Sequence, residues 1–447
     1  MNAFMPRTLR FRPALALVDG VFVAGSAWIA HLIRFTADER GPKWAELLGH
    51  PGFLLCAGLT LWALAMAAEL YEPATLRRRR DVAMRVLVVT LAWGATLALA
   101  TYLVPAWRFG RGLLALTTVS WGVLAAVFRV LLARWVRHRT RSLALVVGTE
   151  EAVRHACSRL ARHPMAPWEP VNGAAVQPGD LAGEARRLGV ELVILAGIET
   201  SGGTADLAAL HFSGVPVVVL SEVWAWLEGR LPVGELSPAA FFHQPGFGAV
   251  HWELFNRFTR VLDVTLGAVM LVLAVPLVVP AALAIAITDG FPVFYLQWRV
   301  GQFGRSFRVV KLRTMRRDAE ENGPAFAAKD DPRVTGVGRI LRRLRIDELP
   351  QLANVLRGDM SLVGPRPERP EFVDELVRQI PYYTFRLAVP PGLTGWSQVS
   401  MPYARTIEDH RRKLEYDLYF IRERSVGLYL LILLRTLSVA LTGVRRQ

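Results

Sequence analysis

Cysteine is nearly absent from the chain, which has only Cys56 and Cys157 among 447 residues. Two thiols in separate segments offer neither a disulfide framework nor a zinc site. The sequence has no GxGxxG turn, no internal repeat and no low-complexity tract. The first apolar run also lacks a small-residue cleavage site, so we expect no cleavable signal peptide. These absences disfavour a disulfide-stapled secreted domain and a conventional dinucleotide enzyme.

Acidic residues are scarce too, because 38 Asp and Glu oppose 53 Lys and Arg and leave a formal net charge of +15. This excess alone would allow nucleic-acid binding, but no nucleic-acid motif accompanies it. The arginines cluster beside apolar runs and in the C-terminal third, which fits lipid headgroups and phosphorylated substrates better. A mean hydropathy of +0.29 indicates membrane segments. We therefore predict a lipid bilayer, and no nucleic acid, as partner.

Four apolar runs open the chain, at about residues 14–33, 52–70, 82–104 and 112–132. Each run is long enough to cross about 30 Å of hydrocarbon as a helix. The connections around 36–50 and 105–111 are less basic than the segments on the other side, so the positive-inside rule places both ends of this region in the cytoplasm. We predict a four-helix transmembrane region over residues 1–140, with buried core helices as the alternative.

The next segment, residues 141–235, has the pattern of a small α/β domain. Its three patterns typical of buried strands are Leu143 to Gly148, Leu192 to Ala196 and Val215 to Leu220. Helical stretches between them predict a Rossmann-like domain with a parallel sheet. Glu150 and Glu151 follow the first strand, where a pyrophosphate would bind, so we interpret the domain as structural or regulatory. Residues 236–256 are predicted to be a linker.

A fifth apolar run extends from Val261 to Ile287. A simple crossing would put the arginine-rich C-terminal part outside the cell, against the charge rule. Because Pro276 and Pro280 interrupt the run, we predict a re-entrant helix–break–helix, broken at Pro276, that enters and leaves on the cytoplasmic face. Asp263 is costly at depth and is expected near the interface or paired. Residues 257–447 would combine this segment with a small α/β catalytic domain.

Two adjacent carboxylates, Asp347 and Glu348, begin the most informative stretch of the chain. Asp347 stands where an N-cap is expected, before an apolar-periodic run that ends at Gly358. Pro350 falls in the first turn, where its missing N–H is no loss. The positive end of a helix favours anions and keeps a carboxylate ionised as a nucleophile or metal ligand. A capped surface helix explains the same residues without any function.

Three cations are candidate phosphate ligands. An alternating strand is predicted to present Lys311 and Arg313 on one face. The stiff turn around Arg366 holds a guanidinium that suits bidentate phosphate binding. A solvated strand face and an ordinary turn are the alternatives. The last apolar segment, Leu428 to Arg446, is basic at its end and is predicted to lie on the membrane surface.

Four ordered motifs in this part resemble the bacterial sugar transferase family, the polyprenyl-phosphate phosphoglycosyl transferases. The motifs are Lys311 to Met315, Asp347 to Gln351, Gly358 to Pro367, and Pro391 to Val399. The four spans and the Rossmann-like domain are similar to the large form of the family, which initiates exopolysaccharide or capsule synthesis. The resemblance therefore covers essentially the whole chain and is most specific in its C-terminal part.

The resemblance implies transfer of a sugar-1-phosphate from a UDP-sugar to undecaprenyl phosphate, with Mg²⁺ as cofactor and UMP released. Asp347 would be the nucleophile and a Mg²⁺ ligand, and Glu348 the general base or the group that places the acceptor phosphate. The residues implied to bind substrate are Lys311, Arg313, Arg366 and Gln351. The family also implies the bacterial cytoplasmic membrane, a catalytic domain on its cytoplasmic face, and a homodimer. Glucose or galactose is the sugar expected from polysaccharide-type relatives.

The chain departs from the family pattern at a few positions. Leu312 and Thr314 replace a common Phe and Ser, Ser397 stands where Ala is common, and Val275 precedes Pro276 where the family often has Ser. Two other functions stay open. A nucleotide-sugar glycosyltransferase would release UDP instead of UMP, and a membrane scaffold would tolerate the Asp347→Asn substitution.

Overall fold

A computed structural model of the chain forms two compact units, Met1–Glu228 and Gly229–Gln447. It describes residues 12–68, 70–71, 79–107, 109–139, 142–163, 166–176, 180–197, 208–210, 212, 214–236, 238, 241, 246–247, 250–319 and 331–442. The basic flank before residue 12, the first half of the basic segment Arg77 to Arg80 and part of the predicted linker 236–256 lie outside the described residues. The domain boundaries predicted from the sequence stay predictions.

The described residues at the start of unit 1 form five α-helices: α1 (Arg12–Arg34), α2 (Ala37–Leu48), α3 (Pro51–Ala67), α4 (Arg79–Leu103) and α5 (Arg111–Arg139). Within the described part, α1, α4 and α5 are long and apolar enough to cross a membrane, whereas α3 passes this test only together with α2, at a bend of 76°. A buried ion pair joins α1 to α5, with Asp19 Oδ2 2.7 Å from Arg129 Nη2. The apolar helices indicate a membrane protein.

The connection predicted around 36–50 is wrong, because Ala37–Leu48 is a helix. Glu39 accepts hydrogen bonds from the backbone N–H and the hydroxyl of Thr36, at 3.2 and 3.0 Å. This local capping offsets the poor helix propensity of Gly41 and Pro42. The predicted second span is correspondingly shorter, since α3 has 17 residues.

The rest of unit 1 is the predicted α/β part. Its elements are β1 (Ser142–Gly148), α6 (Glu150–Arg162), β2 (Trp168–Asn172), α7 (Leu181–Arg187), β3 (Leu192–Ala196), β4 (Val217–Val219) and α8 (Leu220–Glu228). The strands form one parallel sheet in the order β2-β1-β3-β4, which confirms the predicted sheet. A Cβ on Gly148 would lie 1.7 Å from the Ala196 carbonyl oxygen, so close strand packing explains this glycine.

Among the described residues, unit 2 contains one long helix, two pairs of strands and several shorter helices. Its elements are α9 (Val250–Thr288), β5 (Phe294–Val300), β6 (Ser306–Leu312), α10 (Gly336–Leu344), α11 (Leu352–Arg357), β7 (Ser361–Val363), α12 (Pro370–Gln379), β8 (Gly392–Thr394), α13 (Trp396–Ser400), α14 (Ile407–Arg422) and α15 (Val426–Thr442). β5 and β6 form an antiparallel hairpin, and β7 pairs with β8 in parallel.

The predicted helix break at Pro276 is wrong, because α9 is a continuous helix with Pro276 and Pro280 inside it. Each proline removes a single backbone hydrogen bond, and the bonds on either side keep the helix together. Residues Phe255–Thr288 of α9 are a fourth candidate span. Whether the segment enters and leaves on the same membrane face stays a prediction.

Asp263 in α9 is paired, as predicted. Its Oδ1 accepts hydrogen bonds from the backbone N–H of Leu362 at 2.7 Å, and from the hydroxyls of Ser361 and Tyr429 at 3.1 and 2.5 Å. Tyr429 belongs to α15, so the carboxylate joins α9, β7 and α15. The α15 residues Leu428, Tyr429, Leu431 and Ile432 are buried within the protein. Contact of α15 with a membrane surface stays a prediction.

Candidate active site

The two adjacent carboxylates lie on a tight turn and not at the start of an α-helix. A 3₁₀ helix, Ile346–Gln351, runs directly into α11, and Arg345 precedes it in the left-handed conformation with φ of +60°. Asp347 is therefore the second residue of the 3₁₀ helix, and the predicted N-cap role is wrong. The end of α11 at Gly358, with φ of +98°, confirms the predicted stop.

α11 is fastened at both sides. Arg260 of α9 donates hydrogen bonds to the carbonyl oxygens of Val355 and Leu356, at 2.5 and 2.6 Å, where a cation also complements the helix dipole. Asn354 accepts from the Val310 N–H at 3.1 Å and donates to the Arg308 carbonyl at 2.8 Å. The Asn354 side chain thus fixes β6, the strand that carries Lys311 near its end, against the helix that follows the carboxylates.

Asn354→Leu is expected to lower the free energy of unfolding by about 1–3 kcal/mol, because the half-buried Val310 N–H loses its partner. It should also lower the rate of nucleotide release at temperatures where the variant is folded, since Lys311 is no longer held against Glu348. Thermal denaturation in detergent and initial rates would measure both effects. Arg357→Ala, on the exposed side of the same helix, is the control. Full activity in folded Asn354→Leu would contradict the positioning role.

A cavity of about 760 Å³ opens beside the carboxylates. The charged residues that line it around the carboxylates are Arg299, Lys311, Arg313, Arg342, Arg345, Asp347, Glu348 and Arg366. The resemblance predicts that Lys311, Arg313 and Arg366 bind substrate with Asp347 and Glu348, and the structure brings these five residues together in one cavity. An excess of cations around two carboxylates suits a polyanionic ligand.

Glu348 is held by three cations. Arg366 Nη2 donates to its Oε1 at 2.6 Å, Lys311 Nζ lies 3.9 Å from the same oxygen, and Arg345 Nη1 lies 3.5 Å from Oε2. Burial by itself would raise the pKa of this carboxyl, but the three cations outweigh burial and hold the pKa well below its usual range. Glu348 is therefore ionised at neutral pH and is a weak base.

Asp347 has the opposite surroundings. Among the described residues, none donates a hydrogen bond or forms an ion pair with its carboxylate, which is 9% exposed. Burial raises its pKa, and the neighbouring Glu348 charge adds to that, while Lys311 and Arg342 oppose it. The two adjacent carboxylates thus differ in what they can do. Glu348 holds cations, whereas the oxygens of Asp347 are available for a reaction.

The pH dependence of kcat/KM is expected to follow the ionisation of Lys311. Burial lowers the pKa of its ammonium to about 8, although Glu348 partly offsets the effect. Lys311 is thus charged below about pH 8 and neutral above it, so kcat/KM should fall as pH rises through this value. Lys311→Arg keeps its charge at these pH values and should move the fall to higher pH. Initial rates between pH 6 and 10 would test this; the same fall in Lys311→Arg would assign it to another group.

Two predicted substrate ligands have other surroundings. Arg313 Nη2 donates to the carbonyl oxygens of Asp289 and Gly290, at 2.7 and 2.5 Å, and so holds the end of α9. Its Nη1 is buried and, among the described residues, has no hydrogen-bond partner. Gln351 is buried and does not line the cavity. Arg313 thus has at least a structural role, and the proposed substrate contact of Gln351 gains no support from its position.

A second set of charged residues was not found from the sequence. Glu368 forms an ion pair with Lys413 and lies 3.9 Å from Arg299. These partners are far apart in the chain, so no spacing pattern reveals them. Burial acts to raise the pKa of the Glu368 carboxyl, but the nearby cations, Lys413 first, hold it below its usual range. Arg299 and Lys413 thus extend the row of cations that line the cavity beyond those around Asp347.

A buried pair lies next to this set. Arg386 donates from Nε and Nη2 to Asp417 Oδ2, at 3.0 and 2.9 Å, and from Nη2 to the Arg366 carbonyl at 2.9 Å. Ser397 donates to Asp417 Oδ1 at 2.7 Å. Ser397 therefore has a structural role that alanine could not fill, because alanine cannot make this hydrogen bond. The hydroxyl of Thr314 also makes a hydrogen bond, since its Oγ1 accepts from Arg342 Nε at 2.8 Å.

No group of three or more His, Cys, Asp or Glu side chains that could hold a metal ion is found within the described part of the chain. Glu348 is engaged by cations, which leaves Asp347 as the free carboxylate of the pair. Mg²⁺ commonly binds through one or two carboxylates with substrate phosphates completing its shell. The donor set thus fits a Mg²⁺ ion that arrives with a phosphorylated substrate and does not fit an all-protein metal site.

The fold and the cavity define a domain of a membrane protein with a cation-rich cavity beside two carboxylates. The family model described as "Bacterial sugar transferase" matches residues 254–443. The chain is 40% identical over 238 residues to the UDP-N-acetylgalactosamine-undecaprenyl-phosphate N-acetylgalactosaminephosphotransferase of Aeromonas hydrophila, covering 53% of this chain and 55% of the relative. It is 46% identical over 187 residues to the UDP-glucose:undecaprenyl-phosphate glucose-1-phosphate transferase of Caulobacter vibrioides, covering 41% and 69%.

The chain belongs to the bacterial sugar transferase family, as the motifs predicted. A galactosyl transferase of Streptococcus agalactiae is also similar, at 40% identity over 195 residues that cover 41% of this chain and 42% of the relative. The match spans about half the length of the Aeromonas protein. The relatives are named for three different sugars, so similarity alone does not identify the sugar.

Proposed function

We propose that this protein transfers a sugar-1-phosphate from a UDP-sugar to undecaprenyl phosphate. The observation that carries the proposal is the free carboxylate of Asp347 in a cavity lined by Lys311, Arg342 and Arg366. The named activities of the Aeromonas and Caulobacter relatives support the same reaction. The product would be an undecaprenyl-diphosphate-linked sugar, the starting point of an exopolysaccharide or capsule repeat unit.

The reaction has two displacements at one phosphorus atom. An oxygen of Asp347 attacks the phosphorus that bears the sugar, the bond to the bridging oxygen breaks, and UMP leaves with that oxygen. A phosphate oxygen of undecaprenyl phosphate then attacks the same phosphorus, and the Asp347 carboxylate is released. Lys311 and Arg366 stabilise the charge on the transferring group in both steps.

Glu348 is proposed to position cations and not to accept a proton. Its depressed pKa makes it a poor general base near neutral pH. The acceptor is already an anion, so its attack needs no strong base. Glu348 instead fixes Arg366 and Lys311 beside Asp347, which keeps the phosphate-binding groups in place before substrate arrives.

Mg²⁺ is proposed as cofactor, held by Asp347 together with the phosphate oxygens of the donor. When bound, the ion supplies positive charge that neutralises the diphosphate and assists the leaving group. Lys311 and Arg366 supply further positive charge to the phosphates. Their ion pairs with Glu348 hold them in place whether or not a metal ion is bound. A homodimer stays a prediction.

The catalytic unit is proposed to lie on the cytoplasmic face of the bacterial inner membrane, with α9 bent at its two prolines, without a break, so that it enters and leaves on that face. The two parts of α9 on either side of Pro276 both contact other elements of unit 2. Asp263 accepts a hydrogen bond from β7, and Ile285 packs with Leu312 and Leu341. Most side chains between these contacts are exposed and apolar. Cysteines introduced before and after α9 should both react with a reagent confined to the cytoplasmic side; labelling from opposite sides would refute the re-entrant path.

The decisive experiment is nucleotide release. Purified protein in detergent would receive Mg²⁺, undecaprenyl phosphate and, one at a time, UDP-glucose, UDP-galactose and UDP-N-acetylgalactosamine. UMP formed from one donor would establish the reaction and identify the sugar. UDP would assign the protein to the ordinary glycosyltransferases. No nucleotide from any of the three donors would overturn the proposal for these sugars.

A further inference from the structure

The cavity runs along β5. Alternate residues Tyr295, Gln297 and Arg299 line it, as does Pro292 just before the strand. A strand rises about 3.3 Å per residue, so Tyr295 and Arg299 lie about 13 Å apart. Lys311 pairs with Tyr295 in the hairpin register, and its Nζ lies 3.9 Å from Glu348 Oε1. The two adjacent carboxylates are therefore placed beside the Tyr295 part of the strand. Asp347 therefore lies between two ends of the cavity, one at Pro292 and the other at Arg299.

The Pro292 end adjoins the end of α9. The carbonyls of Asp289 and Gly290 accept from Arg313, and that of Phe291 accepts from Arg317. These carbonyls directly follow the apolar surface of α9, where Ile287 is 83% exposed. The residues that line this end are aliphatic or cationic: Pro292, Met315, Arg316, Arg317, Ala319 and Arg342. This combination suits a phosphate that carries a hydrocarbon chain.

The Arg299 end has a different chemistry. Phe372 and Tyr403 contribute aromatic rings, and Arg299, Arg369 and Lys413 contribute positive charge, of which Glu368 balances part through its pairs with Lys413 and Arg299. The guanidinium of Arg369 lies 5.8 Å from the centre of the Phe372 ring. Flat rings beside cations suit a nucleoside phosphate, because the base can stack while the phosphates are neutralised. Among the described residues that line the cavity, Tyr295 is the one aromatic residue on the Pro292 side.

We infer that the cavity has a fixed direction: the lipid phosphate binds at the Pro292 end, the nucleotide of the donor binds at the Arg299 end, and Asp347 acts between them. This inference rests on the proposed function. A polyprenyl chain stays in hydrocarbon, so its phosphate enters where the apolar surface of α9 stops. The nucleotide is water-soluble and needs no such boundary. Each substrate thus approaches Asp347 from its own side.

Two exposed cavity residues test the direction. Arg316→Gln should raise the KM for undecaprenyl phosphate about 10- to 100-fold, the size of one lost charge-assisted contact, and leave the KM for the UDP-sugar within about twofold. Tyr403→Ala should do the reverse, since a stacking surface is lost. Both side chains are exposed, so the variants are expected to fold. Arg305→Gln, an exposed arginine outside the cavity, is the matched control.

A second measurement needs no turnover. The increase in Tm caused by UDP should shrink in Tyr403→Ala and persist in Arg316→Gln. The direction is overturned if the two variants change the KM of the opposite substrate, if both change the same constant, or if neither differs from Arg305→Gln. If the unaltered protein releases no UMP, the proposed function fails, and the UDP-induced change in Tm still decides whether a nucleotide binds at the Arg299 end.

Discussion

Asp347→Asn is expected to abolish UMP release, lowering the rate by at least about 10³-fold, because an amide cannot serve as the attacking carboxylate. The substitution is nearly isosteric and removes no ion pair, since within the described structure the Asp347 carboxylate has none. Folding should therefore survive, whereas Mg²⁺-dependent binding of the UDP-sugar is expected to weaken, because Asp347 is also the proposed Mg²⁺ ligand. Initial rates of UMP release, with the Tm measured in parallel, test the expectation. Appreciable UMP from the folded variant would remove Asp347 from the nucleophile role.

Glu348→Gln is the matched control for this experiment. It removes the charge that holds Arg366, at 2.6 Å, and Lys311, at 3.9 Å. We expect a lower but measurable rate together with weaker donor binding, because the cations lose their anchor but the nucleophile remains. A trapped phosphosugar adduct on Asp347, detected by mass spectrometry in the absence of acceptor, would distinguish the two roles directly.

The predictable part of the site is the part encoded by neighbours in sequence. Asp347 and Glu348 are adjacent, and the stop at Gly358 follows from glycine's access to positive φ. The family motifs also brought Lys311 and Arg366 to the same place. The start of the helix was not predictable in this way, because it depends on the left-handed Arg345 that ends α10.

Other features depend on bonds that the sequence pattern does not reveal. Whether Pro276 interrupts α9 depends on the backbone bonds that remain around it, and composition does not report them. The substrate role of Arg313 stays a prediction, and its bonds to two carbonyls at the end of α9 could not be inferred from its spacing. The Glu368–Lys413 and Arg386–Asp417 pairs join residues 45 and 31 positions apart. Such partners emerge only when the chain is folded.

Arg386→Met is expected to destabilise the protein by about 3–5 kcal/mol, because it leaves the Asp417 carboxylate buried without its cation. Both side chains of the pair are 1% exposed. The double variant Arg386→Met/Asp417→Leu removes both charges and should recover much of this loss, since an apolar pair can replace a buried ion pair. Thermal denaturation in detergent would compare the variants, and Asp417→Leu alone completes the cycle. A double variant as unstable as the sum of the singles would show that the pair is not coupled.

Activity separates the structural role of Arg386 from its effect on the site. Arg386 also donates to the Arg366 carbonyl at 2.9 Å, so it positions the turn whose side chain holds Glu348. The double variant should therefore regain stability without regaining the rate of UMP release. Full activity in a stable double variant would mean that the turn keeps Arg366 in place by itself. Low activity at restored stability would establish Arg386 as a positioning residue for the cationic wall beside Asp347.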